Sequence, residues 1–315
     1  TGHHGAARWR TVPVVDVIFG VHTGPANTTV DELRSLWRRI EELPFDWISI
    51  WDHFYAADGR STNCLDAVVA HTALALETSR VRCGSLVYCA GYRHPGVLAN
   101  AIAGIDQLSG GRVDVGVGAG WLADEYHAYG IPYPAAGRRL DLMEEYLRCL
   151  RGLLREESFS FDGELFQLRD AVVDPRPVQG AVPIWVGGGG EKRTLRIAAE
   201  LADGWNVPFI GPDDFERKVR VLAAHCDDLG RDPAEIVCSV NVGCAPDDES
   251  LHRQFGDIAE FVRPGVLMGS TGQMVDAIGR YADAGATRIN LALRAPFEVA
   301  ALEHLAGAID QLGAS

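Results

Sequence analysis

No run of about 20 uninterrupted apolar residues occurs in this 315-residue chain, so no segment is built to cross a membrane as a helix. A charged-then-apolar start with a cleavage site is missing as well, and secretion has no support. Basic residues are scarce. The 29 Lys and Arg face 43 Asp and Glu, a net charge of −14, which argues against the basic footprint of a nucleic-acid binder. The seven cysteines never form Cys-x-x-Cys; the nearest pairs are Cys83/Cys89 and Cys238/Cys244. An odd, scattered set suits reduced thiols filling the core of a cytoplasmic chain. Three chemical signatures are also missing. There is no Gly-x-Ser-x-Gly elbow and no Gly-Lys-Ser/Thr phosphate loop, and no His-x-His closes the first strand, beyond which His22 stands alone.

What is present is a globular composition, 47% hydrophobic and 23% charged, in a regular alternation. Short β-branched runs at Val12–Phe19, Trp47–Trp51, Val81–Tyr88, Val113–Val117, Pro183–Val186, Gly204–Val207, Ile236–Val242 and Arg288–Leu293 read as strands. Helical periods separate them. The first opens with a Thr29/Glu32 capping box and buries Leu33, Leu36, Trp37, Ile40 and Leu43. Eight strand–helix units predict a parallel sheet closed as a (β/α)8 TIM barrel of the α/β class, with an open doubly wound sheet as the alternative. One stretch departs from the alternation. Phe159–Phe166 reads as a hairpin on an Asp162-Gly163 turn, followed by a proline-marked path from Pro175 to Pro183. It is expected to be an insertion at about 155–182, before the fifth strand, in a single domain spanning 1–315.

In such a barrel the chemistry lies at the C-terminal strand ends. The second strand ends Trp51-Asp52-His53-Phe54. A capping Asp beside a core His is the plain explanation; a proton donor or acceptor near neutral pH is the functional one. The fourth ends Gly116-Val117-Gly118-Ala119-Gly120-Trp121. Trp121 stands where a dinucleotide fingerprint needs its third glycine, so the run is either a tight turn or a place for a planar ring to approach the backbone. The fifth ends Gly187-Gly188-Gly189-Gly190 and is expected to open a helix at Glu191. That arrangement would form a phosphate cradle of backbone N–H groups. Glu144-Glu145, in mid-helix, reads as solvated surface.

These strand ends, in this order, resemble the bacterial-luciferase-like flavin and deazaflavin oxidoreductase family. The resemblance includes Tyr92-Arg93-His94-Pro95, Leu108 to Arg112, Glu125, Gly130-Ile131-Pro132, Pro183 to Gly188, Ala202 to Asn206, and Gly269-Ser270-Thr271. It implies a barrel with a flavin-like ring over its mouth, and the Asp-His-Phe end is most similar to the coenzyme F420 branch. By that resemblance Asp52 contacts the ring edge and His53 faces the substrate. Ser85-Leu86 would carry a bulged, non-proline cis peptide behind the ring. Ala119, Gly120 and Asn206 would join the cofactor contacts, and Gly187 to Gly190 would hold its phosphate. The sugar-phosphate dehydrogenases of that branch carry glutamate where this chain has Trp121. An apolar, aromatic substrate pocket and a different substrate are therefore expected.

The expected function is F420-dependent hydride transfer to or from a small organic substrate. The alternatives are an FMN-dependent monooxygenase and a non-catalytic flavin-binding protein. The resemblance also implies a homodimer.

Overall fold

The structure, a computed structural model, describes residues 13–56 and 61–313. The chain runs through β1 (Ile18–Thr23), α1 (Val30–Glu41), β2 (Trp47–Ile50), α2 (Ala67–Glu77), β3 (Arg82–Ser85), β4 (Tyr88–Cys89), α3 (Pro95–Ser109) and β5 (Val113–Gly118). It continues with α4 (Ala123–Ala128), α5 (Ala136–Arg155), β6 (Phe159–Asp162), β7 (Gln167–Ala171), β8 (Ile184–Gly187), α6 (Thr194–Leu201), β9 (Gly204–Pro208) and α7 (Pro212–Leu229). The last elements are β10 (Val237–Ala245), α8 (Asp248–Phe255), α9 (Ala259–Val262), β11 (Val266–Met268), α10 (Thr271–Asp283), β12 (Arg288–Leu293) and α11 (Val299–Gly313).

The parallel ladder runs β1-β2-β3-β5-β8-β9-β10-β12 and returns to β1, which closes an eight-stranded barrel. The strands are apolar on both faces because helices cover the outside and side chains fill the inside. At α1, Glu32 N–H donates to Thr29 Oγ1 (3.2 Å) while Thr29 N–H donates to Glu32 Oε2 (2.8 Å), so the capping box is formed. Its apolar stripe, Leu33, Leu36, Trp37 and Ile40, is buried as the spacing predicts, whereas Leu43 falls past the helix end at Glu41 and is half-buried.

Several expectations need correction. The first strand begins at Ile18, not Val12, a residue outside those described. Pro13 starts a 3-10 turn at Val14–Asp16 whose Asp16 N–H closes onto the Pro13 carbonyl at 2.8 Å, and that turn excludes extended pairing. The hairpin β6/β7 forms, but Asp162 pairs with Gln167 and the loop spans 163–166. Glu145 on α5 accepts the N–H groups of Glu164, Leu165 and Phe166 at 2.8–3.1 Å, which holds that wider loop and removes Glu145 from simple surface duty. Its neighbour Glu144 pairs with Arg148 and Arg193, both at 3.2 Å. The helix expected at Glu191 starts at Thr194, after a turn.

The last correction concerns the expected cis bond at Ser85–Leu86; it lies at Leu86–Val87. Gly84 pairs with Asp114 and Tyr88 with Val117, so four steps on one strand oppose three on the other, a β-bulge. Leu86 N–H still donates to the Ile50 carbonyl (2.8 Å), so the Ser85–Leu86 peptide belongs to the ladder and stays extended. The ladder breaks one residue later. Ser85 Oγ bridges the gap, accepting from Gly116 N–H (2.9 Å) and donating to its carbonyl (3.2 Å).

Candidate functional site

The C-terminal strand ends surround a cavity of about 810 Å³. Its floor is the bulge: Leu86 and Val87 line it while packing on the buried rings of Trp47 and Trp185. Three glycines exist to admit that bulge. A Cβ on Gly116 would meet the Ser85 carbonyl at 2.3 Å, and one on Gly118 or Gly187 would strike Val87 at 2.5 or 2.7 Å. At Gly120, with φ of +76°, a side chain would run into the Tyr126 hydroxyl. The glycine pattern at the fourth strand is thus largely explained by packing of the chain against itself.

Asp52 follows β2 and is 4% exposed on the cavity wall. Its Oδ2 accepts from Cys89 N–H (3.0 Å) and Arg93 Nη1 (2.5 Å), and Arg93 reaches on to Asp66, the cap of α2, at 2.6 Å. Its Oδ1 is buried with no hydrogen-bond partner. Burial pushes the Asp52 carboxyl above its ordinary value, and Arg93 offsets this only in part.

His53 points its Nδ1 at Glu125 Oε2, 2.8 Å away. Glu125 is fully buried on α4, a short helix between β5 and α5. The same oxygen accepts the Tyr92 hydroxyl (2.5 Å), and Oε1 accepts the N–H groups of Phe54 (2.7 Å) and Tyr55 (2.8 Å). Burial alone would raise this carboxyl, but these donors outweigh it and hold it below the ordinary range. An ionised Glu125 makes Nδ1 the protonated nitrogen of His53. Nε2 is then the atom that can exchange a proton with a molecule in the cavity.

A second histidine, His22 at the end of β1, also lines the cavity, with Nδ1 2.8 Å from Ser49 Oγ. Burial first, then Arg294 and His53, push it down to about 3, so it is neutral at physiological pH. The Trp121 ring stands edge-on to His53, 5.7 Å between centroids, and is 61% exposed at the opening. Asn206 is buried on β9; its amide donates to Ser239 Oγ and Asn241 Oδ1, both 3.0 Å.

Ala119, Gly120, Gly187, Gly188 and Asn206 line the cavity together with Asp52, His53, Leu86 and Trp121. Ser85 does not join them; it is buried, and its hydroxyl is committed to Gly116. Gly188 has φ of +124°, which requires glycine there, and its carbonyl accepts Trp205 Nε1 (2.8 Å). Farther along the turn, Lys218 Nζ donates to the Gly189 carbonyl (2.7 Å) and meets Glu191 at 3.2 Å. Gly190 closes the run where Leu195 N–H donates to its carbonyl (3.0 Å). Residues that sequence reasoning left without a role are Glu125, Tyr92, Arg93, His22 and Lys218. Glu125, Tyr92 and Arg93 sit inside the resembling segments, which was the available signal.

The cysteine thiols are pushed up to about 11 or 12, in each case chiefly by burial, so none is a thiolate nucleophile near neutral pH. Among the described residues no group of three or more His, Cys, Asp and Glu is arranged to hold a metal ion. No helix among them is long and apolar enough to cross a membrane.

An uncharacterized protein of Mycobacterium tuberculosis is 32% identical over 232 residues, 74% of this chain and 79% of its own. An F420-dependent glucose-6-phosphate dehydrogenase of Microbacterium testaceum is 29% identical, covering 74% of this chain and 70% of its own. An FMNH2-dependent dimethylsulfone monooxygenase of Pseudomonas putida is 28% identical over 55% of this chain and 47% of its own. Among solved structures, an F420-dependent secondary alcohol dehydrogenase superposes with a TM-score of 0.83 at 19% identity, over 94% of this chain and 99% of its own, a likeness of fold. A family model described as luciferase-like monooxygenase matches residues 15–308. Nearly the whole barrel falls within that match, and the chain belongs to the luciferase-like monooxygenase family.

Proposed function

We propose that this protein is an oxidoreductase that binds a deazaflavin of the F420 type and moves a hydride between it and a small organic substrate. The observation that carries the reading is one cavity wall holding both the unpartnered Asp52 Oδ1 and the His53–Glu125 pair. A flavin-type ring fits the first, because its imide edge offers an N–H to a buried acceptor that otherwise costs free energy. The apolar floor made by Leu86 and Val87, with Val87 packed onto Gly118 and Gly187, fits the face of such a ring. When bound, the deazaflavin exchanges two electrons as a hydride and reacts poorly with oxygen, because carbon replaces the N5 nitrogen of a flavin.

This chain's residues supply the rest. As a hydride leaves a substrate C–H, the proton of the neighbouring O–H passes to His53 Nε2, and the reverse direction returns it. Glu125 holds the imidazole in the tautomer that leaves Nε2 able to accept, and its charge stabilises the imidazolium so formed. The F420 resemblance of the Asp-His-Phe end and the wider coverage of the F420-dependent relative support the deazaflavin over FMN.

The test is equilibrium binding of both cofactors. The deazaflavin is expected to bind more tightly. Micromolar FMN binding with no detectable deazaflavin binding would overturn the reading in favour of an FMN monooxygenase. Tight deazaflavin binding without turnover of any alcohol or ketone would leave a flavin-binding protein.

A further inference from the structure

The outer wall of the cavity is not part of the barrel. Strand β10 extends past its barrel pairing to meet β11, and between these two strands lie α8 and α9. Phe255, Ala259 and Val262 anchor this segment in a small core of its own with Ala245 and Leu251. Ile258 and Phe261 are left out of that core. They line the cavity while 38% and 78% exposed, and Trp121 lines it too at 61% exposed. Three large apolar side chains in water around one opening form the kind of patch that a ligand covers. The charged residue of this segment on the cavity is Asp257, in a chain of net charge −14, so an anionic body finds repulsion there. Arg294, the arginine of the cavity, stands elsewhere, 5.9 Å over the Trp51 ring.

We propose that Ile258, Phe261 and Trp121 form a specificity lip for a substrate with an uncharged hydrocarbon body, whose single oxygen function reaches His53. This rests on reading the cavity as the reaction site, and it names the substrate class that reading leaves open.

The test needs no turnover. Full-length protein is titrated with the neutral fluorophore N-phenyl-1-naphthylamine, which is then displaced by 2-alkanones of four to ten carbons and by glucose 6-phosphate. Affinity is expected to rise about fourfold per added methylene until the lip is covered. Phe261→Ala should weaken the ten-carbon ketone about tenfold and the four-carbon ketone less than twofold. Ile258→Asp should flatten the series. Affinity independent of chain length, an unchanged series in Phe261→Ala, or stronger displacement by glucose 6-phosphate would each overturn the proposal. Deazaflavin binding measured on the same samples separates the two ideas. Lost cofactor binding with an intact ketone series refutes the cofactor reading alone; the converse refutes the lip alone.

Discussion

At the N-terminal end of the barrel Asp114 on β5 accepts from Arg82 Nε (3.0 Å) and meets Arg288 at 3.4 Å. Arg288 in turn lies over the rings of both Trp47 and Trp185, 4.7 and 4.5 Å from their centroids. At the C-terminal end Asp52 meets Arg93 at 2.5 Å, but its second oxygen faces no protein donor. Both ends bury an acid and an arginine. The lower pair uses both carboxylate oxygens and closes the barrel; what it leaves unpaired are donors, Arg288 Nε and the two indole N–H groups, sealed among rings. The upper end leaves an acceptor on an open cavity wall and ties its histidine to a second carboxylate. A barrel thus separates holding itself together from offering unsatisfied groups to a ligand.

Substitutions at the two ends should therefore fail in different measurements. The largest effect is expected at the mouth. His53→Ala should slow single turnover at saturating cofactor by about 10²–10⁴-fold, the range for losing a general acid or base. Unfolding midpoint and cofactor affinity should barely move, because neither the floor nor the glycine turn depends on the ring. A near-normal rate would make His53 a structural residue and erase the contrast. At the base, Arg288→Ala should cost about 2–5 kcal/mol in urea unfolding, as it empties packed space over the indoles and leaves Asp114 Oδ2 without its partner while Arg82 still holds Oδ1. Arg288→Met, which refills the space over the indoles, should cost less. Cofactor affinity per folded molecule should be unchanged in both; a selective loss would mean that the base reaches the site.

How much of this was legible beforehand follows the same division. The barrel strands were readable because a fully buried parallel strand is a short apolar run, and seven of the eight sat where Trp47, Val81, Val113, Pro183, Gly204, Ile236 and Arg288 start such runs. Strand β11 was missed; its three residues, Val266–Met268, carry no period of their own. Asp52 and His53 stood out as polar residues ending an apolar strand. Glu125 did not, because it lies 72 residues from His53 in a six-residue helix where acidic side chains are ordinarily solvated. Only the fold turns it inward. The bulge was anticipated from resemblance but placed one residue early, since the ladder bonds of Leu86 cannot be seen in a sequence.

The smallest expected effect divides the mouth itself. Its two buried carboxyls are displaced in opposite directions, Asp52 upward by burial, and Glu125 downward because its hydrogen-bond donors outweigh burial. For Asp52 the folded protein holds its proton to higher pH than the unfolded chain, whose ordinary value is 3.8. Stability from this group is therefore present below 3.8 and lost as pH rises through the folded value. For Glu125 the sign reverses. Its contribution is complete above the ordinary 4.5 and disappears as pH falls through the lower folded value. Neither Asp52→Asn nor Glu125→Gln can titrate, so each removes one slope. The stability advantage of the native chain over Asp52→Asn should shrink as pH rises, whereas its advantage over Glu125→Gln should grow. Urea midpoints between pH 3 and 7 read both. Parallel slopes would mean that the two carboxyls share one environment. The mouth would then lack the two oppositely biased carboxyls that distinguish it from the sealed end of the barrel.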